Sequence, residues 1–412
     1  MPGMRTGFSG FGRLRKLRTA GSVLGLAVAL GASGCSSIER LPAVTVAQEA
    51  QASVGEIRDA RVYVRETERI AAIAQQAYLR RAKTKAASAP RYFLALSGGG
   101  DDGAFGAGLL VGWSARGNRP SFDVVTGVST GALSAPFAYL GREYDPQLQQ
   151  VYSDASPDAV YRPRSVFAAV TEDAMADSAP LRSMIARNVS DAMVRRIAEE
   201  YGKGRLLLIL TTNLDQGRPV VWNVGAIAAS GSPLARDLII DVLLASASMP
   251  AIFPPVMMNV TVDGQKYQEM HVDGGTVAQA FLYPPSFSAR QAAARLGVSA
   301  AKLRASQRRI AYIIRNGRLA RPEETVERQT VAIAKQAIST MIASSGVNDT
   351  YRMYLITRRD GVDFNLASIG DDFTVPYKGP FDRGYMNALF AYGYERGRAG
   401  YPWQKTPPGY AR

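Results

Sequence analysis

One histidine, His271, and one cysteine, Cys35, stand in a chain of 412 residues, and their scarcity narrows the chemistry before any motif is read. A lone cysteine permits no intrachain disulfide. A lone histidine means that any Ser-His-Asp triad must run through His271. Charged residues make up only 20% of the chain against 47% hydrophobic ones, which argues against wholesale disorder and supplies apolar material for one large domain or two ordinary ones. There is no internal repeat, and no low-complexity tract beyond an alanine-rich N-terminal region. Acids are outnumbered, giving a formal net charge of +14.

Five of those charges, Arg5, Arg13, Arg15, Lys16 and Arg18, precede an apolar run from Ala20 to Ala32 that ends in small residues before Cys35. That is the pattern of an export signal over residues 1–34, and the run falls short of the roughly 20 apolar residues that span a bilayer. Ala32-Ser33-Gly34-Cys35 resembles the lipobox of bacterial lipoproteins, although Ala32 stands where Leu is usual. The resemblance implies that Cys35 is lipidated and becomes the mature N-terminus, with Ser36 favouring the outer membrane of a bacterial envelope. The alternative is a cleaved or membrane-anchored signal with Cys35 as a bystander. The chain stays basic after such cleavage, and an exported basic protein with no visible nucleic-acid motif is expected to meet anionic lipid headgroups at a membrane surface, although surface solubility alone also accounts for the charge.

From Ser36 to about Pro90 the sequence is rich in Ala, Gln, Arg and Glu, with Ile70, Ile73 and Ala77 at helical spacing; residues 35–90 read as a lipidated N-terminus, a helical stalk or a helix packed on the domain, and a linker. At Tyr92 the character changes. Apolar strands are expected at Tyr92–Leu96, Phe122–Val125, Leu206–Thr211, Val220–Asn223, Lys266–Val272 and Ile310–Ile314, with helices to about Ser114, near Met184–Tyr201 and at Leu234–Ala247. Strand, glycine loop, helix, strand, sharp turn, helix is the order of a parallel α/β sheet with its site at the strand C-terminal ends. The expected domain covers residues 91–400, with polar or basic insertions near 145–180 and 286–309 that either flank a cleft or are solvated excursions.

Gly127-Val128-Ser129-Thr130-Gly131 is a G-x-S-x-G sequence between an apolar strand and a helical segment, the setting of a nucleophile elbow in which Gly127 and Gly131 leave room for the turn. A serine that attacks must lose its proton to a base. His271 and Asp273 lie two apart on a strand, about 6.6 Å from one another on the same side. Asp273, at the strand end before Gly274 and Gly275, is the expected partner of Ser129, and His271 is expected one pleat deeper as a satisfied core residue. The third element is Ser97-Gly98-Gly99-Gly100-Asp101-Asp102-Gly103, whose glycines let backbone amides approach an oxyanion. Gly98, Gly100 and Gly103 also spell G-x-G-x-x-G, but Asp123 precedes the second strand instead of ending it, so a nucleotide site is not expected.

These elements, in this order, resemble the patatin-like phospholipase family. A further match is Ala245-Ser246-Ala247-Ser248-Met249-Pro250-Ala251-Ile252-Phe253-Pro254-Pro255-Val256, which looks like the family's segment before the catalytic aspartate. The resemblance covers roughly Tyr92 to Pro285. It implies a three-layer α/β/α fold with a mainly parallel central sheet, a Ser129–Asp273 dyad without histidine, no cofactor or metal, and hydrolysis of lipid acyl esters, phospholipid or lysophospholipid, through an acyl-enzyme. On this reading Gly98, Gly99 and Gly100 form the oxyanion hole. An acyltransferase or neutral-lipid esterase on the same site, or a lipid-binding lipoprotein without activity, are the other readings. Asp101 and Asp102 depart from the family, which commonly has Arg or Lys before the last glycine. They are expected either to cap helix amides or to oppose anionic groups near the site.

Overall fold

Unbroken apolar runs such as Leu206-Leu207-Leu208-Ile209-Leu210 suit strands buried on both faces, and such strands form the middle of the sheet. The computed structural model describes residues 39–154, 156–164, 173–284, 288–297, 299, 307–320 and 325–410. The leader, Cys35, and parts of both expected insertions lie outside the described residues.

The chain runs through β1 (Arg61–Tyr63), α1 (Thr67–Ala82), β2 (Arg91–Leu96), α2 (Gly103–Arg116), β3 (Val124–Gly127), α3 (Thr130–Leu140), α4 (Asp145–Ser153) and α5 (Pro157–Val160). A small hairpin of β4 (Arg162–Pro163) and β5 (Ala176–Asp177) leads into α6 (Ala179–Asn188), α7 (Asp191–Gly202), β6 (Leu206–Asn213), β7 (Arg218–Asn223), α8 (Val224–Ala228) and α9 (Ala235–Ala247). Then come β8 (Val256–Val262), β9 (Gln265–Asp273), α10 (Ala289–Arg295), β10 (Arg309–Arg318), α11 (Thr330–Asp360), β11 (Asp363–Ile369) and α12 (Arg383–Ala399).

The sheet order is β1-β7-β6-β3-β2-β10-β11. Strands β6, β3, β2, β10 and β11 are parallel, while β7 and β1 close one end antiparallel. Helices cover the sheet, giving the mainly parallel α/β architecture expected from the motif order. α2 and α12 pack so closely that a Cβ added to Gly108 or Gly112 would lie 2.0 Å from the carbonyl oxygen of Phe390 or Tyr394.

Of the two readings of the helix within 35–90, stalk or packed, the structure shows the packed one. β1 pairs with β7 in the register Val62↔Val221, and α1 buries Ile73 and Ala77. The apolar spacing of Ile73 and Ala77 serves to cover one end of the sheet. The helix expected over Met184–Tyr201 is two helices, because Val189 and Ser190 leave helical geometry and the Ser190 hydroxyl accepts the Met193 amide to start α7.

One feature of the topology positions the site. β6 offers one edge to β7 along 208–213, and shares its other edge between two strands: β3 pairs with 206–209, and β9 pairs antiparallel with 211–213. Where β3 stops at Gly127 and turns away, β9 takes over the vacated edge. Its last residue, Asp273, sits opposite Thr211, immediately beyond the end of β3.

Candidate active site

Ser129 occupies the turn between β3 and α3 with φ 54° and ψ −127°, a conformation that costs a non-glycine residue strain energy. The turn is held from both sides. A Cβ on Gly131 would lie 2.4 Å from the Leu96 carbonyl oxygen, and one on Gly127 would lie 2.6 Å from that of Gly131, so the elbow tolerates no side chain at either position. The Ser129 amide donates to Ser246 Oγ at 3.1 Å, and Ser246 in turn donates to the Leu210 carbonyl at 2.7 Å. The serine is nearly buried, and its hydroxyl lies at the C-terminal edge of the parallel strands.

Asp273 is 4% exposed. Its amide donates to the Ser248 carbonyl at 2.9 Å, its carbonyl accepts from Thr212 Oγ1 at 3.0 Å, and its Oδ1 accepts the Gly275 amide at 2.6 Å. The other oxygen, Oδ2, is buried with no hydrogen-bond partner among the described residues. Burial pushes the Asp273 pKa up to about 6; the Ser129 hydroxyl and the Gly275 amide pull it partway back. A carboxylate with that pKa and an open oxygen beside a strained serine is equipped to take a proton.

His271 is fully buried and faces elsewhere. Nδ1 lies 2.9 Å from Thr211 Oγ1, and Nε2 lies 3.1 Å from Glu269 Oε2, whose carboxylate is also paired with Arg61. Trp222 packs against the imidazole edge and donates from Nε1 to Thr211 Oγ1 at 2.8 Å. Desolvation lowers the His271 pKa, and both ring nitrogens are engaged within this cluster.

The glycine loop lies against the serine: a Cβ on Gly98 would be 3.2 Å from Ser129 Cβ. Gly98 itself is a correction to the expected oxyanion set, because its amide donates to the Gln279 carbonyl at 2.9 Å. The amides of Gly99 and Gly100 make no hydrogen bond among the described residues, and neither does that of Thr130, the first amide of α3. Gly99 needs its missing side chain twice over, for φ 156° and for an approach in which a Cβ would sit 2.0 Å from the Asn316 carbonyl oxygen.

Asp101 and Asp102 do not cap the amides of α2. Asp102 precedes α2 without bonding its amides; its Oδ1 accepts from the Tyr385 hydroxyl at 2.7 Å. Asp101 Oδ2 accepts the Phe381 amide at 2.7 Å. Burial raises both carboxyls, Asp102 to about 6. The two acids fasten the 377–385 segment onto the glycine loop.

Two positioning residues, Gln279 and Asn316, escaped sequence reading, and a third, Ser246, was quoted there without a role. Gln279 bridges the loops, accepting Gly98 on its carbonyl and donating from Nε2 to the Gly275 carbonyl at 2.9 Å. Asn316 donates from its amide to Ser97 Oγ and from Nδ2 to the Ser97 carbonyl, both at 2.8 Å. Ser246 lies within the segment that the resemblance singled out, and its bond to the Ser129 amide supplies a physical reason for that segment.

Comparison with known proteins gives one family. Residues 94–283 match the model of the patatin-like phospholipases. No curated protein matches the chain. Among solved structures, VipD from Legionella pneumophila is similar at 10% identity over 77% of this chain and 69% of that one, with a TM-score of 0.31, a likeness too loose to bear on the site.

Proposed function

The chain carries a patatin-like phospholipase domain over residues 94–283, and from that premise we propose that it is a lipid acyl hydrolase working through a Ser129–Asp273 dyad. The observation that carries the proposal is the pairing of a strained, nearly buried serine with a carboxyl whose pKa is about 6 and whose Oδ2 is uncommitted. In the first step Asp273 takes the Ser129 proton as Oγ adds to the ester carbonyl. The amides of Gly99, Gly100 and Thr130 are the donors available for the oxyanion, strengthened by the N-terminus of α3. Collapse expels the alcohol, which leaves with the proton held by Asp273. Water then attacks the acyl-enzyme, again deprotonated by Asp273, and the fatty acid departs as Ser129 regains its proton. The substrate class we infer is a phospholipid or lysophospholipid ester.

A fluorophosphonate that reacts with activated serines tests the reading. It should label wild-type protein at Ser129, identified by peptide mass, and leave Ser129→Ala unlabelled. Absence of labelling on folded wild type would replace the hydrolase with a lipid-binding protein on the same fold. Release of free fatty acid from phospholipid in water, against ester transfer to an added alcohol, separates hydrolase from acyltransferase.

We further propose that the site works at a membrane surface to which Cys35 anchors the chain in a bacterial envelope. Helix α11 supports this. Gly346 packs on Arg315 of β10, and the helix ends at Asp360 beside the start of β11. Those 14 residues rise about 21 Å, matching the roughly 20 Å from Arg309 to Arg315 along β10. The part of α11 before Ala343 therefore projects about 20 Å past the sheet edge that carries Ser129. None of its described side chains from 330 to 345 is buried; Ile333, Ile338 and Met341 are 53%, 58% and 71% exposed, and Lys335 is the single charge from Thr330 to Asn348. An apolar finger standing beside the site fits a lipid layer. Metabolic labelling with a fatty-acid analogue should mark wild type and not Cys35→Ala; equal labelling removes the anchor.

A further inference from the structure

A second lipid-shaped space lies away from Ser129. It is an apolar cavity of about 150 Å³ between the sheet and a roof made by α1, α10 and residues 281–284. Its floor crosses the sheet in strand order: Arg309 of β10, Phe93 of β2, Val124 of β3, Leu208 of β6, Val221 of β7 and Val62 of β1. Five spacings of about 4.8 Å make the path roughly 24 Å long, more than the ~15 Å depth of one leaflet's hydrocarbon. The walls are almost wholly apolar along this path, so a narrow alkyl chain replaces little ordered solvent and gains about 0.8 kcal/mol per buried methylene.

One end is different. Arg91, at the start of β2, lines the cavity, its Nε is buried with no hydrogen-bond partner, and no carboxylate pairs with its guanidinium among the described residues. Of the acids at this end, Asp123 is committed to Arg81 and to the Tyr92 amide, and Asp360, which also lines the cavity, is committed to Arg359 and the Tyr283 hydroxyl. Arg309 stands on the neighbouring strand at the same end. A buried guanidinium nitrogen without a hydrogen-bond acceptor is costly, and a carboxylate would relieve that cost with a charge-assisted, bidentate pair.

We propose that this cavity binds a single-chain fatty carboxylate, its head on Arg91 and its chain running beneath α1 toward Val221 and Val62. The space is separate from the candidate active site. Val124 opens β3 and Ser129 lies beyond its far end, past the roughly 10 Å length of the strand, and between them Thr126 Oγ1 is bonded to the Phe281 carbonyl. The proposal stands on the cavity alone and survives if Ser129 proves inert. If the hydrolase reading holds, the ligand is chemically the product, and the cavity is where released fatty acid is held.

Dodecanoate binding to the full chain tests it, with dodecanol as the uncharged control and Ser129→Ala and phosphonate-blocked wild type as controls for the other site. Dodecanoate should bind wild type, Ser129→Ala and blocked protein alike. Val221→Trp and Ala74→Phe, which fill the space from floor and roof, should each weaken it at least tenfold. Should one filler fail to fold by thermal melt, the other decides. Arg91→Leu should weaken dodecanoate about tenfold and leave dodecanol unchanged. Loss of binding on blocking Ser129, indifference to the folded fillers, equal effects of Arg91→Leu on acid and alcohol, or no binding by wild type would each overturn the proposal.

Discussion

Asp273 is placed in a conflict that the fold resolves against its own stability. Burial raises its pKa to about 6, above the value of an exposed aspartate, so the ionised form is favoured more in the unfolded chain than in the folded one. The contribution of this group to stability is therefore complete below about pH 4 and lost as pH rises through about 6. Asp273→Asn removes that loss and should melt a few degrees higher than wild type at pH 7.5 while being inactive; a lower melting temperature would contradict the account. The base must be ionised to act, so kcat/KM should climb with pH through about 6 and level off by about pH 7.5. The elbow at Ser129 and the strand end at Asp273 were legible because the strained turn and the strand-end glycines impose local residue requirements. Gly98 was misread because the acceptor of its amide, Gln279, is remote in sequence, and nothing in a glycine run says which amide is already taken.

At the scale of elements, the acidic pair of the glycine loop acts as a fastener. Asp101 holds the Phe381 amide and Asp102 the Tyr385 hydroxyl, so the loop that offers Gly99 and Gly100 is tied to the segment leading into α12. Asp101→Ala should make residues 374–381 several-fold more sensitive to limited proteolysis and lower kcat about tenfold, whereas Asp101→Asn, which keeps an acceptor, should do less. Unchanged proteolysis and rate in the alanine variant would remove the fastening role. On α11, Met341→Asp should reduce binding to anionic phospholipid vesicles and hydrolysis at their surface at least fivefold, with a soluble aryl ester turned over at the wild-type rate; equal losses on both substrates would place α11 in the site itself. The longer buried strands were readable from apolar runs. β1 is three residues long and β11 carries polar Asn365 and Ser368 inside its run, so tertiary pairing, not local pattern, makes them strands.

For the whole molecule, the decisive event is the handover of one edge of β6 from β3 to β9, which delivers Asp273 to the elbow left by β3. Motif order implied the parallel sheet, but not that a hairpin would fill the gap beyond a short strand, because that depends on β3 ending two residues before Ser129. The same arrangement leaves His271 paired on both nitrogens inside the Arg61–Glu269–Thr211 cluster. The direct measurement is kcat/KM for a short-chain aryl ester in Ser129→Ala, Asp273→Asn and His271→Gln, each checked for folding. The account predicts losses on the order of 10³-fold or more for the first two and a rate within about threefold of wild type for the third. A folded His271→Gln as inactive as Asp273→Asn would contradict the dyad.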